Sequence, residues 1–458
     1  MDKKIQNRLD DMLEKGEIDT DFFGVNIHTD IQKKLLDYQL LHVLNIVSAL
    51  KKYSIAIDGS WTGTGKTYTS IAVCKHLNLR PYIVCPKSIM GTWKRVCEYY
   101  SIDPVTIVNY ETLRSGKEYD DLFKRTDSKH LTLKDDEYIW KFTDRNILVI
   151  FDEAHKCKHI KSINGQIFLA TKNKAKILIL SATLCDKPED FLPFGYMLGL
   201  YKNLKSGKSW IENAIRESEQ MLGIKSNALN KHIYPTFGSQ MTMDDMGKKF
   251  PKNQISAECY YIDGKMVNKI NKYYTKISEE NKTGCNLGVK IKLRMKIEKI
   301  KAPVMFEIAQ KYIEQNKSVV IFVNFVDTML HLGEMFNENG DKYNTLSGDQ
   351  TVEQREISID DFQKNKVKIM IAMIQIGGAS IGLHDITGKS PRVSIISPSF
   401  SSIELIQTLG RIYRSGTKTP VLQRIIFCSG TYEEEICNAI RDKTKFISKI
   451  TDQDLGLS

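Results

Sequence analysis

Short apolar runs alternate with helix-compatible stretches twice along this chain, and that alternation restricts the fold more than any other feature. In the first half the runs are Ile55-Ala-Ile57, Tyr82-Ile-Val-Cys85, Thr106-Ile-Val108, Ile147-Leu-Val-Ile-Phe151 and Ile177-Leu-Ile-Leu180. In the second half they are Ser318–Val323, Lys368–Ala372, Val393–Ile396 and Arg424–Phe427. Runs that are apolar without interruption read as strands covered on both faces, and strands separated by helical segments read as parallel sheets with crossover helices. The expected fold class is α/β, with one parallel-sheet lobe per half. A chain of 458 residues is also too long for a single core. The expected layout is an N-terminal helical extension over 1–34, a first lobe over 35–189, a helical insert and connector over 190–300, a second lobe over 301–440 and a tail over 441–458. The sequence contains no repeat array, heptad pattern or low-complexity tract.

Two of the expected strands lead into chemistry. Ile55-Ala-Ile-Asp-Gly-Ser60-Trp-Thr-Gly63-Thr64-Gly65-Lys66-Thr67 is an apolar start, a Gly-rich turn and then a helix-compatible stretch from Tyr68 to His76. This reads as a phosphate-binding loop: its backbone N–H groups converge on phosphate oxygens at a helix N-terminus, Lys66 reaches the terminal phosphates, and the Thr67 hydroxyl can ligate Mg²⁺. The strict pattern has glycine where Ser60 stands, and a small residue there is physically acceptable. The run from Ile147 delivers Asp152-Glu153-Ala154-His155 to its C-terminal end, where an α/β sheet carries its chemistry. In the second half, Gln407-Thr-Leu-Gly410-Arg411-Ile-Tyr-Arg414 places two arginines three apart, a spacing that would put both guanidinium groups on one helical face. That half has no phosphate loop of its own, and two arginines are what a partner lobe would supply to charge developing on a γ-phosphate.

Composition narrows the partner. A formal net charge of +11, from 66 Lys+Arg against 55 Asp+Glu, favours nucleic acid as the partner, the alternative being a lysine-rich surface that only keeps the protein soluble. The nine cysteines are scattered without a Cys-x-x-Cys pair, so neither a disulfide framework nor a zinc site is expected, and Cys85 and Cys428 read as reduced core residues. No stretch approaches the ~18 apolar residues of a membrane span, and the N-terminus has no apolar signal core. The expectation is a soluble, intracellular protein without a membrane partner.

From about Leu35 to Gly416 the ordered motifs resemble a superfamily-two helicase-type ATPase of the DEAH-box kind, and within it the Swi/Snf-type translocases. The segment Leu36-Asp-Tyr38-Gln39 is similar to the family's adenine-recognition motif. Val84-Cys-Pro86-Lys-Ser88 with Trp93 resembles motif Ia, and Asn109-Tyr110-Glu-Thr112-Leu-Arg114 resembles motif Ib. Asp152 to Lys158 matches motif II, and Phe250-Pro-Lys resembles the segment entering the connector. Leu346-Ser-Gly348-Asp with Arg355, Gly377-Gly378 through Gly382-Leu383, and Gln407 to Arg414 resemble second-lobe motifs. One departure is motif III, Ser181-Ala182-Thr183-Leu184, the form common in DExD/H helicases where Swi/Snf-type proteins usually carry Gly and Pro. Compactness and a Lys/Ile/Asn-rich composition resemble the short helicase-like proteins of large DNA viruses.

The resemblance implies two RecA-like lobes joined by a helical connector, with ATP and Mg²⁺ as cofactors. Lys66, Asp152, Glu153, Arg411 and Arg414 would be catalytic. Gln39, Ser60, Gly63, Thr64, Gly65, Lys66, Thr67 and Gly382 would bind nucleotide, with Thr67 and Asp152 holding Mg²⁺. His155, Ser181, Thr183 and Gln407 would couple hydrolysis to motion, and Ser88, Tyr110, Thr112, Asn324, Gly377 and Gly378 would grip nucleic acid, mostly on phosphates. DNA is the favoured polymer with RNA as the alternative, and transcription or chromatin-like complexes are the implied protein partners. The expected activity is ATP-driven translocation along DNA that remodels protein–DNA complexes. Its rivals are a strand-separating RNA or DNA helicase and a non-enzymatic nucleic-acid scaffold that retains the fold.

Overall fold

In the computed structural model, residues 28–120, 124–135, 137–185, 187–222, 229–242, 245, 251–282, 287–375, 381–398 and 402–433 are described. The chain divides into two compact units near residue 247. Each is built on a six-stranded sheet whose neighbouring strands all run parallel.

The first unit contains β1 (Ile55–Asp58), β2 (Arg80–Cys85), β3 (Thr106–Asn109), β8 (Ile147–Asp152), β9 (Lys176–Leu180) and β10 (Gly238–Ser239), in the order β10-β1-β9-β8-β2-β3. The central strands are apolar throughout because helices cover both faces. Ile57, Tyr82, Val84, Val149, Phe151 and Ile179 pack into one core, while their alternating neighbours Ala56, Ile83, Cys85, Leu148, Ile150 and Leu178 pack into another. Each fully buried large side chain of this kind contributes roughly 1.5–3 kcal/mol. A one-residue register slip would exchange every one of these contacts. Between β3 and β8 the chain makes two small antiparallel hairpins, β4 (Lys117–Tyr119) with β5 (Arg125–Asp127) and β6 (Leu131–Lys134) with β7 (Glu137–Trp140). Buried Glu118 anchors them: it accepts from Tyr82, Ser128 and the Lys129 N–H, and His130 Nδ1 lies 3.1 Å from its Oε2.

The second unit orders its strands β11-β16-β15-β12-β14-β13, from β11 (Asn253–Tyr260), β12 (Ser318–Val323), β13 (Tyr343–Leu346), β14 (Ile369–Met373), β15 (Arg392–Ile396) and β16 (Val421–Cys428). The helix Leu287–Glu314 carries two buried charges into this unit. Lys301 pairs with Glu433 at 2.5 Å, and Glu298 accepts from the backbone N–H groups of Asn324 and Phe325.

The two lobes expected from the apolar runs are present, as two RecA-like parallel sheets. The stretch 190–300 is less purely helical than its composition suggests. It holds the helices Leu204–Leu222 and Gly264–Lys282, but also β10, which extends the first sheet, and β11, which edges the second. Both strands take their order from a neighbour's open edge and not from an apolar run of their own. Among the described residues, no helix is long and apolar enough to cross a membrane.

Candidate active site

Residues 59–65 link β1 to the helix Lys66–Leu77, and the backbone turns at Gly63 (φ +82°) and Gly65 (φ +96°), values that favour glycine. The Lys66 ammonium donates to the carbonyls of Ser60 at 2.7 Å and Trp61 at 3.0 Å, so it lies over the loop it follows. Thr64 is buried, its hydroxyl donating to the Trp61 carbonyl. Ser60 is equally buried and explains its departure from glycine: its hydroxyl accepts from the Met241 N–H at 2.9 Å, binding the loop to the chain after β10. Gln39 is buried behind the loop, where its amide donates to the Thr64 carbonyl at 2.9 Å and accepts from the Leu36 N–H. Expected against adenine, the Gln39 side chain is instead engaged in bracing the loop. Beneath the loop lies a pair absent from the sequence reading. His42 Nε2 sits 3.0 Å from Asp58 Oδ2, while Asp58 Oδ1 accepts from the Ser60 N–H. Burial raises the Asp58 carboxyl, but the imidazole and Lys66 outweigh it and hold it below its ordinary value.

The acidic motif arrives at the same edge because β1, β9 and β8 are adjacent and in register. Leu180 pairs with Asp58 on one side and with Asp152 on the other. Asp152 and Glu153 are both buried, and Glu153 has the left-handed backbone (φ +53°) that opens the short turn Ala154–Cys157. His155 Nδ1 lies 3.3 Å from Glu153 Oε2 and 3.4 Å from the Ser181 hydroxyl, while Ser181 donates to the Thr183 carbonyl at 2.6 Å. The expected coupling residues of the first lobe are thus in contact with one another and with the acid. Asp152 itself is held from three sides: Oδ1 accepts from the Glu153 N–H, Oδ2 from the Trp93 indole N–H, and its carbonyl from the Tyr110 hydroxyl. Burial, and then the Glu153 charge, push its carboxyl well above the usual range, against the pull of Trp93 and Lys66.

Some expected nucleic-acid contacts are placed elsewhere. Ser88 is exposed, as a phosphate contact requires. Tyr110 and Thr112 are not: both side chains are buried, Tyr110 on Asp152 and Thr112 beside the Tyr119 hydroxyl. Asn324 donates its amide to Glu298 at 2.7 Å and to the Pro398 carbonyl, so this side chain fixes a loop of its own lobe. Gly377 and Gly378 lie outside the described residues.

The arginine pair also differs from its expected setting. The helix Ser402–Leu409, which carries Gln407, ends before Gly410, so Arg411 and Arg414 lie in the following turn and not on one helical face. Arg411 is buried and lines a small cavity together with Phe322, Leu346, Met373 and Leu383. The Arg414 backbone is fixed by Thr417, and burial lowers its guanidinium from its ordinary value. His384, also unforeseen, stands with Arg414 around Gly382, where a Cβ would meet both side chains.

The donor set suits a small hard cation. Thr67 and Asp152 offer oxygen ligands, and the repulsion that raises Asp152 is relieved by a cation placed beside it. Among the described residues there is no cluster of three His, Cys, Asp or Glu able to hold a metal alone; an ion that takes its remaining ligands from phosphate and water, as Mg²⁺ does, would fit this donor set.

Comparison with known proteins agrees with this geometry. Residues 32–186 match the family described as type III restriction enzyme, res subunit, and residues 304–416 match the helicase conserved C-terminal domain. A protein of Acanthamoeba polyphaga mimivirus named as an ATP-dependent RNA helicase is 36% identical over 98% of this chain and 89% of its own length. An uncharacterized ATP-dependent helicase of Mycoplasma pneumoniae is 22% identical over 86% of this chain and 40% of its own. The human DNA repair and recombination protein RAD54B is 27% identical over 28% of this chain and 15% of its own length. With a viral helicase relative matched almost end to end, and with the res-subunit family matched on the first unit and the helicase C-terminal domain on the second, the chain belongs to the superfamily-two helicases and is an ATP hydrolase.

Proposed function

We propose that the protein is a DNA translocase that couples ATP hydrolysis to movement along the duplex and so remodels protein–DNA or transcription complexes. The observation that carries the reading is the meeting of Asp152, Glu153, His155 and Ser181 at the ends of adjacent strands, with Lys66 close enough for its charge to pull on the Asp152 carboxyl. The +11 charge and the similarity to RAD54B favour DNA as the polymer.

Bound MgATP supplies the phosphoanhydride to be cleaved and the cation that neutralises its terminal phosphates. Lys66 exchanges its loop carbonyls for those phosphates, and the loop N–H groups between Ser60 and Thr67 hold the rest of the chain of charge. Thr67 and Asp152 contribute oxygens to Mg²⁺. Glu153 orients the attacking water and takes its proton, with His155 and Ser181 fixing the carboxylate. Arg411 and Arg414 are assigned to transition-state charge, and Ser88 to the nucleic-acid backbone.

A second reading, a strand-separating helicase, is favoured by Ser181-Ala182-Thr183 and by the name of the mimivirus relative. ATP turnover measured side by side with single-stranded DNA, duplex DNA and RNA, together with triplex- and strand-displacement assays, separates the two. Duplex stimulation with triplex displacement alone supports translocation; stimulation by RNA only overturns it. Lys66→Ala and Glu153→Gln should each abolish turnover, and substantial turnover in either purified variant would sink the site assignment.

A further inference from the structure

Trp93 lies in the helix Met90–Tyr99, one turn beyond the Pro86–Ser88 segment, and is fully buried. A buried indole has a single donor and needs one acceptor. Many backbone carbonyls would serve; here the acceptor is the side chain of Asp152, at 2.9 Å. The other carboxylate oxygen accepts the Glu153 N–H, also at 2.9 Å. With one N–H fixed on each oxygen the carboxylate cannot rotate, yet each oxygen keeps an acceptor direction open. The Tyr110 hydroxyl on the Asp152 carbonyl, at 2.8 Å, holds the backbone of the same residue.

We propose that Trp93 is a positioning residue for metal binding: its indole N–H fixes the Asp152 carboxylate in the orientation in which it ligates the divalent cation. This rests on the assignment of Asp152 as a metal ligand. A tryptophan that only filled the core would need its ring and not its N–H, and the two roles respond differently to substitution.

Trp93→Phe keeps an aromatic ring and removes the donor. With Mn²⁺ as the probe, titrated into the protein–ADP complex and followed by electron paramagnetic resonance, the expected result is a loss of metal affinity of about tenfold. ADP affinity measured in EDTA should stay unchanged. Equal Mn²⁺ affinity in folded Trp93→Phe and wild type overturns the proposal, as does an equal loss of ADP affinity in EDTA. Should Trp93→Phe fail to fold, benzothienylalanine at position 93 replaces it, exchanging N–H for sulfur at nearly the same shape. Asp152→Asn separates the underlying assignment: if it binds Mn²⁺ as tightly as wild type, Asp152 is no ligand, whatever Trp93 does.

Discussion

Lowering the pH from about 7 to about 5 should weaken the second lobe through one side chain, His384. Burial, reinforced by the Arg414 and Arg392 guanidinium groups and only partly opposed by Asp385, pushes this imidazole down to about 4. In the unfolded chain it titrates near ~6.5. Between those values the unfolded state takes up a proton that the folded lobe refuses. Stability is therefore full above the unfolded value, falls as pH drops through it, and stops falling below the folded value. Integrated from about pH 7 to about pH 5, this linkage is worth about 1.8 kcal/mol, roughly a twentyfold rise in the open population. A two-lobe chain does not unfold in one step, so the suitable assay is hydrogen exchange at the buried amides of β12 and β14, corrected for the intrinsic rate at each pH. His384→Gln removes the titration and leaves the carboxylates in place, so its protection should decline by about 1.8 kcal/mol less than wild type over that interval. Parallel declines in the two proteins would refute the reasoning.

Gly238→Ala tests the dependence of the phosphate loop on β10. A Cβ there would lie 2.0 Å from the Ile57 carbonyl oxygen, a backbone atom that cannot step aside. The strand pairing Ile57 with Gly238 should be lost at a cost of about 3 kcal/mol, read as a lower melting temperature together with weaker nucleotide binding. Wild-type melting would show the edge to be dispensable. Arg414→Ala should lower kcat by about 10³-fold and change KM for ATP much less, as measured by steady-state ATPase kinetics. Equal effects on both constants would make Arg414 a ground-state phosphate contact instead.

What was legible in the sequence were the strands that need no partner to be recognised. The run Ile147–Phe151 is apolar at every position because both of its faces are covered, and the same holds for Val319–Val323. The strands that escaped notice lie at sheet edges: Gly238–Ser239 is two residues long, and Tyr343–Leu346 carries Asn344 and Thr345 half-exposed. The phosphate loop and the acidic motif were readable because local spacing dictates their geometry. The shared helical face expected of Arg411 and Arg414 is absent for the converse reason, since spacing implies one face only while the helix lasts, and it stops at Leu409. Tyr110 and Thr112 show where motif resemblance stops short: it marks a segment, while burial decides which of its side chains face outward. His42 with Asp58 and Glu298 with Asn324 carry no sequence signal, because each joins residues that only the fold brings together.

Two buried aspartates end strands of the first sheet that flank β9, and their surroundings give them opposite tasks. Asp58 has its oxygens taken up by protein, His42 on one and the Ser60 N–H on the other, and its carboxyl is held down. Its charge is already answered by the imidazole, so it serves the loop. Asp152 has one N–H on each oxygen and the Glu153 carboxylate beside it, and its carboxyl is driven up. Of the two it is the one with a like charge beside it and an unrelieved repulsion, which a divalent ion answers. Residue type alone would have made Asp58 and Asp152 equal candidates; their charged neighbours, His42 beside one and Glu153 beside the other, are what set Asp152 apart as the proposed ligand that Trp93 holds in place.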